Sequence, residues 1–335
     1  MGIHPCFAPL AIMRDPDSPL TCSGYASRRV LLANPRGFCA GVTRAIDSVE
    51  QALAVFGRPV YVRRPIVHNH AVLARLEDMG AIFVREVEDV PEHANLILSA
   101  HGVDPSVVRA ARARRLNVID ATCPLVTKVH VDVVAHHRAG RHVLLIGHVG
   151  HPEIVGTIGH VPTSAISLVS SAEDVEQLDI PSHASIAYAV QTTFSVKDAR
   201  AIVAAIRDRF TDVAGPRSGN ICYATTNRQT AVEAMAAEAD YMLVVGDDLS
   251  SNAQRLIEVA LAAGCPEAAL VNETAAVDWT RISQVQTVGL TAAASTPASS
   301  IEDICHALAE AGFAIIEQEG LHETVRFKPV AIDPT

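Results

Sequence analysis

The chain has 335 residues, 49% of them hydrophobic and 19% charged, which supplies a core and excludes a globally disordered chain. At about 150 residues per domain, that length predicts two domains or three small ones. A formal net charge of −10 with no long basic run argues against nucleic acid as a partner.

Residues 1–28 contain four prolines and no periodicity, and are read as a disordered extension or as residues upstream of the functional start. Their opening, Met1–Met13, lacks the charged start and small-residue cleavage site of a secretory signal. No run anywhere reaches the ~18 apolar residues of a membrane helix, so the expectation is a soluble, cytoplasmic protein. From Val30 onward, short apolar runs alternate with helical patterns. Strands are predicted at Val30–Ala33, Val60–Arg63, Ala81–Val84, Leu96–Ser99, Val118–Asp120, His142–Ile146, Ser185–Val190, Tyr241–Val245 and Gln286–Leu290. Helices are predicted at Val42–Phe56, Pro105–Arg115, Leu125–Arg138, Val196–Phe210, Arg228–Ala239 and Ala253–Ala263. In the first of these, Val42, Ala45, Ile46, Val49 and Leu53 share one face. Near-continuous apolar strands alternating with helices predict an α/β fold with parallel sheets.

Seven cysteines, an odd number without any C-x-x-C, argue against a disulfide framework, a thioredoxin motif and a zinc ribbon. Cys39, Cys123 and Cys222 each fall between an apolar run and a helix pattern, 84 and 99 residues apart, about the length of one small α/β unit. That spacing suggests three lobes, each offering one thiol to a shared centre. Gly37 and Gly41 flank Cys39, Pro124 follows Cys123 in the position favoured at a helix start, and Thr225, Thr226 and Asn227 near Cys222 can cap a helix. A thiol at a helix N-terminus is expected to have a lowered pKa, which suits metal ligation and nucleophilic attack equally. Taken singly, each is as well explained as a small buried hydrophobe. Cys6, Cys22, Cys265 and Cys305 lack this context.

His68, His101, His148 and His151 follow predicted strands. In an open parallel sheet, ligands bind beyond the carboxyl ends of the strands. Ser250-Ser251-Asn252 follows Tyr241–Val245 and opens a helix, and Ser295-Thr296 follows Gln286–Leu290. Such donors at helix N-termini form a cradle for phosphate oxygens, by which an acidic protein can hold a polyanion locally. Glu153 is the one acid among them. It is either an ordinary helix-start carboxylate or a proton donor, and the second role requires a raised pKa.

The strings LLANPRGFCAGVTRAI (31–46), SAHGV (99–103), DATCPLVTKVH (120–130), LIGHVGHPEIVGT (145–157), QTTFS (191–195), ICYATTNRQ (221–229) and SSNAQRL (250–256) closely resemble the LytB family of 4-hydroxy-3-methylbut-2-enyl diphosphate reductases. The resemblance runs from about Val30 to about Pro329. It implies three α/β lobes in a trefoil around a 4Fe–4S cluster held by Cys39, Cys123 and Cys222, with one iron left open. It also implies reductive removal of the allylic hydroxyl to give isopentenyl and dimethylallyl diphosphates, with electrons from a ferredoxin or flavodoxin-type donor. His68, His101, His151, Ser250, Ser251, Asn252 and Ser295 would hold the diphosphate. Glu153 matches the family's proton source, Thr192 its relay hydroxyl, and His151 stands beside them. The lobes are expected at 29–122, 123–219 and 220–330, with the Cys39 segment free to pack with the third.

Two departures stand out. Ala replaces a frequent Gly within Thr291-Ala292-Ala293-Ala294-Ser295, which weakens the assignment of Ser295. Asp247 and Asp248 add negative charge beside the expected diphosphate site. Two other classes of function remain open: a zinc-dependent hydrolase and a non-redox diphosphate-binding module.

Overall fold

The structure, a computed structural model, describes residues 28–216 and 219–332. Cys6, Cys22 and, but for Arg28, the expected extension over 1–28 lie outside the described residues. In chain order the elements are β1 (Arg29–Leu32), α1 (Ala40–Phe56), β2 (Val60–Arg63), α2 (His70–Met79), β3 (Ala81–Val84), β4 (Asn95–Leu98), α3 (Pro105–Ala113) and β5 (Asn117–Asp120). There follow α4 (Pro124–Arg138), β6 (His142–Ile146), α5 (Pro152–Ile158), β7 (Ile166–Val169), α6 (Ala172–Glu176), β8 (Ser185–Val190), α7 (Val196–Arg209) and β9 (Asp212–Ala214). The last third holds α8 (Tyr223–Ala236), β10 (Tyr241–Val245), α9 (Ser251–Ala262), β11 (Ala268–Val271), α10 (Trp279–Ile282), β12 (Thr287–Ala292), α11 (Ala298–Glu310) and β13 (Ala314–Glu317).

These strands form three sheets, ordered β3-β2-β4-β5, β7-β6-β8-β9 and β11-β10-β12-β1-β13, in which the pairings are parallel. The first two sheets repeat one order. The third repeats it as well, with β1 in the place that β5 and β9 hold in the others and β13 added at the edge. The apolar strands explain the layering. In the third sheet, Val30, Leu32, Leu243, Val245 and Leu290 face α11 through Ile301, Ile304 and Leu308. The alternate residues Leu31, Ala33, Met242 and Val244 face α8 and α9 through Val232 and Leu256. With side chains alternating between faces, such strands must be apolar on both.

The expected lobe 29–122 is corrected at its start. β1 pairs with β12 and β13, Leu32 lying opposite Leu290, so it belongs to the third sheet. α1 instead buries Ala45, Ile46, Val49 and Leu53 against Val60, Val62 and Ile97 of the first. Each fully buried Val or Ile there contributes about 1.5–3 kcal/mol, which fixes the helix to that lobe. The chain thus crosses from the third lobe to the first between β1 and α1. It crosses again between β5 and α4, whose Val129 and Val133 pack on Val143 and Leu145 of the second sheet. A third crossing lies between β9 and α8, whose Val232 and Met235 pack on the third sheet. Cys39, Cys123 and Cys222 sit at these three crossings, one thiol per passage between lobes.

The third lobe also ends differently from the expected 220–330. Beyond β13, Gln318 N–H donates to Leu32 O at 2.9 Å. Arg44 Nε then donates to Lys328 O at 2.9 Å, and Val330 and Ile332 pack on the core of the first lobe. Among the described residues, no helix is long and apolar enough to cross a membrane.

Candidate active site

The three cysteines are the N-cap residues of α1, α4 and α8. Each backbone N–H is held by the loop that follows the third strand of a lobe. Cys39 donates to Ala294 O at 3.2 Å, Cys123 to Ala100 O at 3.0 Å and Cys222 to Thr192 O at 3.1 Å. The thiols face one central cavity of about 800 Å³. Gly41, one residue into α1, lies so close that a Cβ there would sit 2.8 Å from Cys123 Sγ and 3.8 Å from Cys39 Sγ. A glycine is therefore required for the sulfurs to approach.

The expectation of lowered thiol pKa values does not hold at two of these sites. Burial pushes Cys123 up to about 12, against the favourable N–H groups of Leu125 and Val126, and neighbouring Cys39 and Cys222 add to the rise. Burial, then Cys39, pushes Cys222 up to about 11 against the hydrogen bonds of Thr225. Enclosure and mutual repulsion outweigh the helix termini. The thiols of Cys123 and Cys222 are ionised only with positive charge beside them, as a metal group provides. Among the described residues, the three sulfurs do not all lie within 4.8 Å of one another, whereas thiolates sharing one zinc sit roughly 3.8 Å apart given a Zn–S bond near 2.3 Å. That spacing is wider than a single zinc demands.

The opposite wall is built from imidazoles and hydroxyls. The rings of His68 and His101 lie 4.2 Å apart, with His151 6.0 and 6.1 Å from them. Burial lowers the pKa of all three: His68 against the pull of Asp247, His101 to well below its ordinary value, and His151 to about 3. For His101 and His151 the neighbouring rings deepen the effect. His151 caps α5 and Ser250 caps α9, so two further helix N-termini border the cavity. Ser295 Oγ donates to His68 O at 3.0 Å and lies 3.4 Å from Ser250 Oγ, joining the first and third lobes. Among the described residues, the buried Nε2 of His68 and both amide atoms of Asn252 have no hydrogen-bond partner. A buried polar group left unpaired costs about 1–3 kcal/mol, and an anion's oxygens would relieve that cost.

Glu153, 2% exposed, lies between the two walls. Oε1 accepts the Thr192 N–H and Oε2 the Thr192 hydroxyl, both at 2.7 Å. Burial raises the carboxyl pKa to about 7, although the Thr192 bonds favour its charged form. The same Thr192 carbonyl holds Cys222, so the acid, the hydroxyl and one thiol share a single fixed turn.

All twelve expected residues line this cavity: the three cysteines, Glu153, Thr192, the three histidines, Ser250, Ser251, Asn252 and Ser295. His148 does not; its Nε2 meets Arg255 at 3.2 Å and its ring lies 4.7 Å from that of Phe194. Asp247 also turns away, accepting the His70 N–H at 2.9 Å and lying 2.6 Å from its Nδ1. Its carboxylate bonds His70 in a contact between lobes, and its charge reaches the cradle only through its pull on His68. Tyr223, inside the quoted string 221–229 but given no role there, and Phe327, in no quoted string, also line the cavity. Behind it, fully buried Arg228 donates to Gly37 O at 2.6 Å and Ala224 O at 2.9 Å and pairs with Glu323 at 3.0 Å. This clamp fixes the loop leading to Cys39. An isolated arginine in a helix pattern gives no local sign of such a role.

Fold and cavity together define a three-lobed parallel α/β protein with a cysteine trio at its centre. The sequence profile of LytB protein matches residues 30–309, and the chain belongs to that family. It is 50% identical over 282 residues to the 4-hydroxy-3-methylbut-2-enyl diphosphate reductase of Methylocella silvestris, covering 84% of this chain and 88% of that one. It is 51% identical over 282 residues to the same-named protein of Beijerinckia indica, with the same coverage. The solved E-1-hydroxy-2-methyl-but-2-enyl-4-diphosphate reductase of Plasmodium falciparum superposes with a TM-score of 0.88 at 38% identity, over 91% of this chain and 96% of that one.

Proposed function

We propose that this chain reduces (E)-4-hydroxy-3-methylbut-2-enyl diphosphate to isopentenyl and dimethylallyl diphosphates. The observation that carries this reading is the buried Glu153–Thr192 pair set between a wall of thiols and a wall of unpaired hydrogen-bonding groups. Family membership and the names of its relatives support the same substrate.

Two electrons and two protons balance the reaction: the hydroxyl departs as water with one proton, and the other ends on carbon. Cys39, Cys123 and Cys222 would hold a 4Fe–4S cluster, which when bound supplies electrons and a Lewis-acidic iron for the hydroxyl. A reduced ferredoxin or flavodoxin-type protein would deliver those electrons. His68, His101, His151, Ser250, Ser251, Asn252 and Ser295 bind the diphosphate and orient the allylic end toward the thiol wall. With a pKa near 7, Glu153 is protonated in an appreciable fraction of molecules at neutral pH and acts as the acid. The Thr192 hydroxyl, 2.7 Å from Glu153 Oε2, passes that proton to the leaving oxygen. Diphosphate held by residues from all three lobes draws them together and excludes water from the reactive allyl fragment.

The test is anaerobic purification followed by an assay with a reduced one-electron dye, substrate and product chromatography. The expected protein is brown, with about four iron and four sulfide per chain, and yields both products. Colourless protein that takes up zinc alone after anaerobic reconstitution would overturn the reading. A non-redox diphosphate-binding module would bind ligand unchanged after Cys39→Ser, whereas here that variant loses the cluster's absorbance.

A further inference from the structure

A second cavity, of about 1220 Å³, lies on the outer side of α4, between that helix and α3. Its walls are two helix faces. From α3 come Val108, Arg109 and Arg112; from α4 come Val131, Val134 and Arg138. The spacings of three and four residues place each set along one side of its helix. Its floor is His130, 8% exposed, stacked on His160 with ring centroids 4.0 Å apart. His160 Nδ1 bonds Gly156 O at 2.9 Å, while the buried Nε2 of His130 has no partner among the described residues.

The groove has two unexplained surpluses. Among the described residues, Arg109, Arg112 and Arg138 make no ion pair or side-chain hydrogen bond, although the chain as a whole is acidic. The carboxylate that lines the groove, Asp120, accepts the Thr122 N–H at 2.9 Å through Oδ1. The second surplus is apolar: Val131 stands 61% exposed between these cations. Three guanidiniums lining one groove call for a ligand with several anionic oxygens, and the valines beside them call for a hydrocarbon chain attached to it.

We propose that the α3–α4 groove binds an alkenyl diphosphate, its head on Arg109, Arg112 and Arg138 and its chain along Val108, Val131 and Val134. This site is separate from the central cavity and shares a wall with it. A Cβ on Gly102, whose φ is +75°, would lie 2.5 Å from His130 Cε1, and one on Gly156 would lie 3.2 Å from Gly102 O. Gly102 follows His101, and Gly156 sits on the helix that carries Glu153. A ligand pressing on His130 therefore bears on the backbone that positions both residues, and through them on turnover.

Equilibrium dialysis of the full-length, cluster-loaded protein against labelled geranyl diphosphate tests this, with geraniol and inorganic diphosphate as single-feature controls. Arg109→Ser/Arg112→Ser/Arg138→Ser is expected to bind one equivalent fewer, or to show one class of site weakened by about tenfold or more, with unchanged turnover in the absence of geranyl diphosphate. Val131→Asp is expected to weaken the same class of site without touching the arginines. Either control should bind that class about tenfold or more weakly than geranyl diphosphate. Identical isotherms for wild type and both variants would overturn the proposal. So would inorganic diphosphate binding as tightly as geranyl diphosphate, since the chain would then play no part. Arginine-dependent binding to phosphatidylglycerol vesicles without binding of free geranyl diphosphate would assign the groove to a membrane headgroup and equally overturn it.

Discussion

The thiol wall and the imidazole wall of the central cavity use the same parts to opposite ends. Both set polar side chains at helix N-termini, and both bury them. Burial keeps the thiols of Cys123 and Cys222 protonated, and it keeps the imidazoles of His101 and His151 unprotonated. These groups on each wall are thus neutral at rest and primed for a charged guest, positive on one side and negative on the other. Desolvation, common to both, decides the resting state; the guest decides the working one.

The largest effect is expected from removing one sulfur. If the trio holds the proposed iron–sulfur group, Cys123→Ser should abolish the brown colour and, with it, turnover, because a serine hydroxyl is a poor substitute for a thiolate ligand. A variant that keeps full absorbance and activity would break the distinction between the walls. Next comes the group between them. Glu153→Gln should lower kcat by about 10²–10⁴-fold with KM little changed. Because the carboxyl donates only when protonated, wild-type kcat should fall as pH rises through about 7, and this limb should vanish in the variant. An unaltered pH profile would remove Glu153 from the role.

The clamp behind the thiol wall is expected to act on stability. Arg228→Met leaves Glu323 with the Asn227 amide at 3.1 Å in place of its charged partner and frees the Gly37 carbonyl, costing roughly 3–5 kcal/mol in urea unfolding. A loss below about 1 kcal/mol would show that the loop before Cys39 is held by other means. The smallest effect sharpens the comparison most. Because burial lowers the histidine pKa values, bound diphosphate should raise them again. Where the pH lies between the free and bound values, binding takes up protons and weakens as pH rises, by at most about tenfold per pH unit for each proton. Calorimetry in buffers of different ionisation enthalpy reads this directly. Binding without proton uptake from pH 5 to 7 would mean that the imidazoles stay neutral around the anion.

Much of this was legible in the chain. Apolar strands such as Tyr241–Val245, buried at all five positions, announce a parallel sheet covered on both faces. The histidines, the Ser-Ser-Asn run and the three cysteines announce themselves by following strands, although Thr192 emerges only through family resemblance. Several elements do not announce themselves. β13 is an edge strand whose four residues are all exposed, so it carries no alternation. β9 has three residues, and α5 has seven with Gly156 and the β-branched Ile154, Val155 and Thr157 among them, too short and too poor in helix formers to stand out. The place of β1 was hidden for another reason. Sequential strands usually neighbour one another, and Arg29–Leu32 breaks that tendency to complete a sheet begun more than two hundred residues later. The raised pKa values of Cys123 and Cys222 were not legible because a helix terminus is visible in sequence, while the enclosure that overrides it is not.

That distant partnership has a consequence for how the chain is born. Arg29 meets Thr287 across 258 residues of sequence. At roughly 5–20 residues per second, β1 waits some 13–50 s on the ribosome before its neighbour exists. During that interval the first two lobes can assemble, while Cys39 dangles from a strand with nothing to pair with. The final lobe closes only once β12 has emerged, and any inorganic guest needing all three sulfurs must be installed after translation has all but finished.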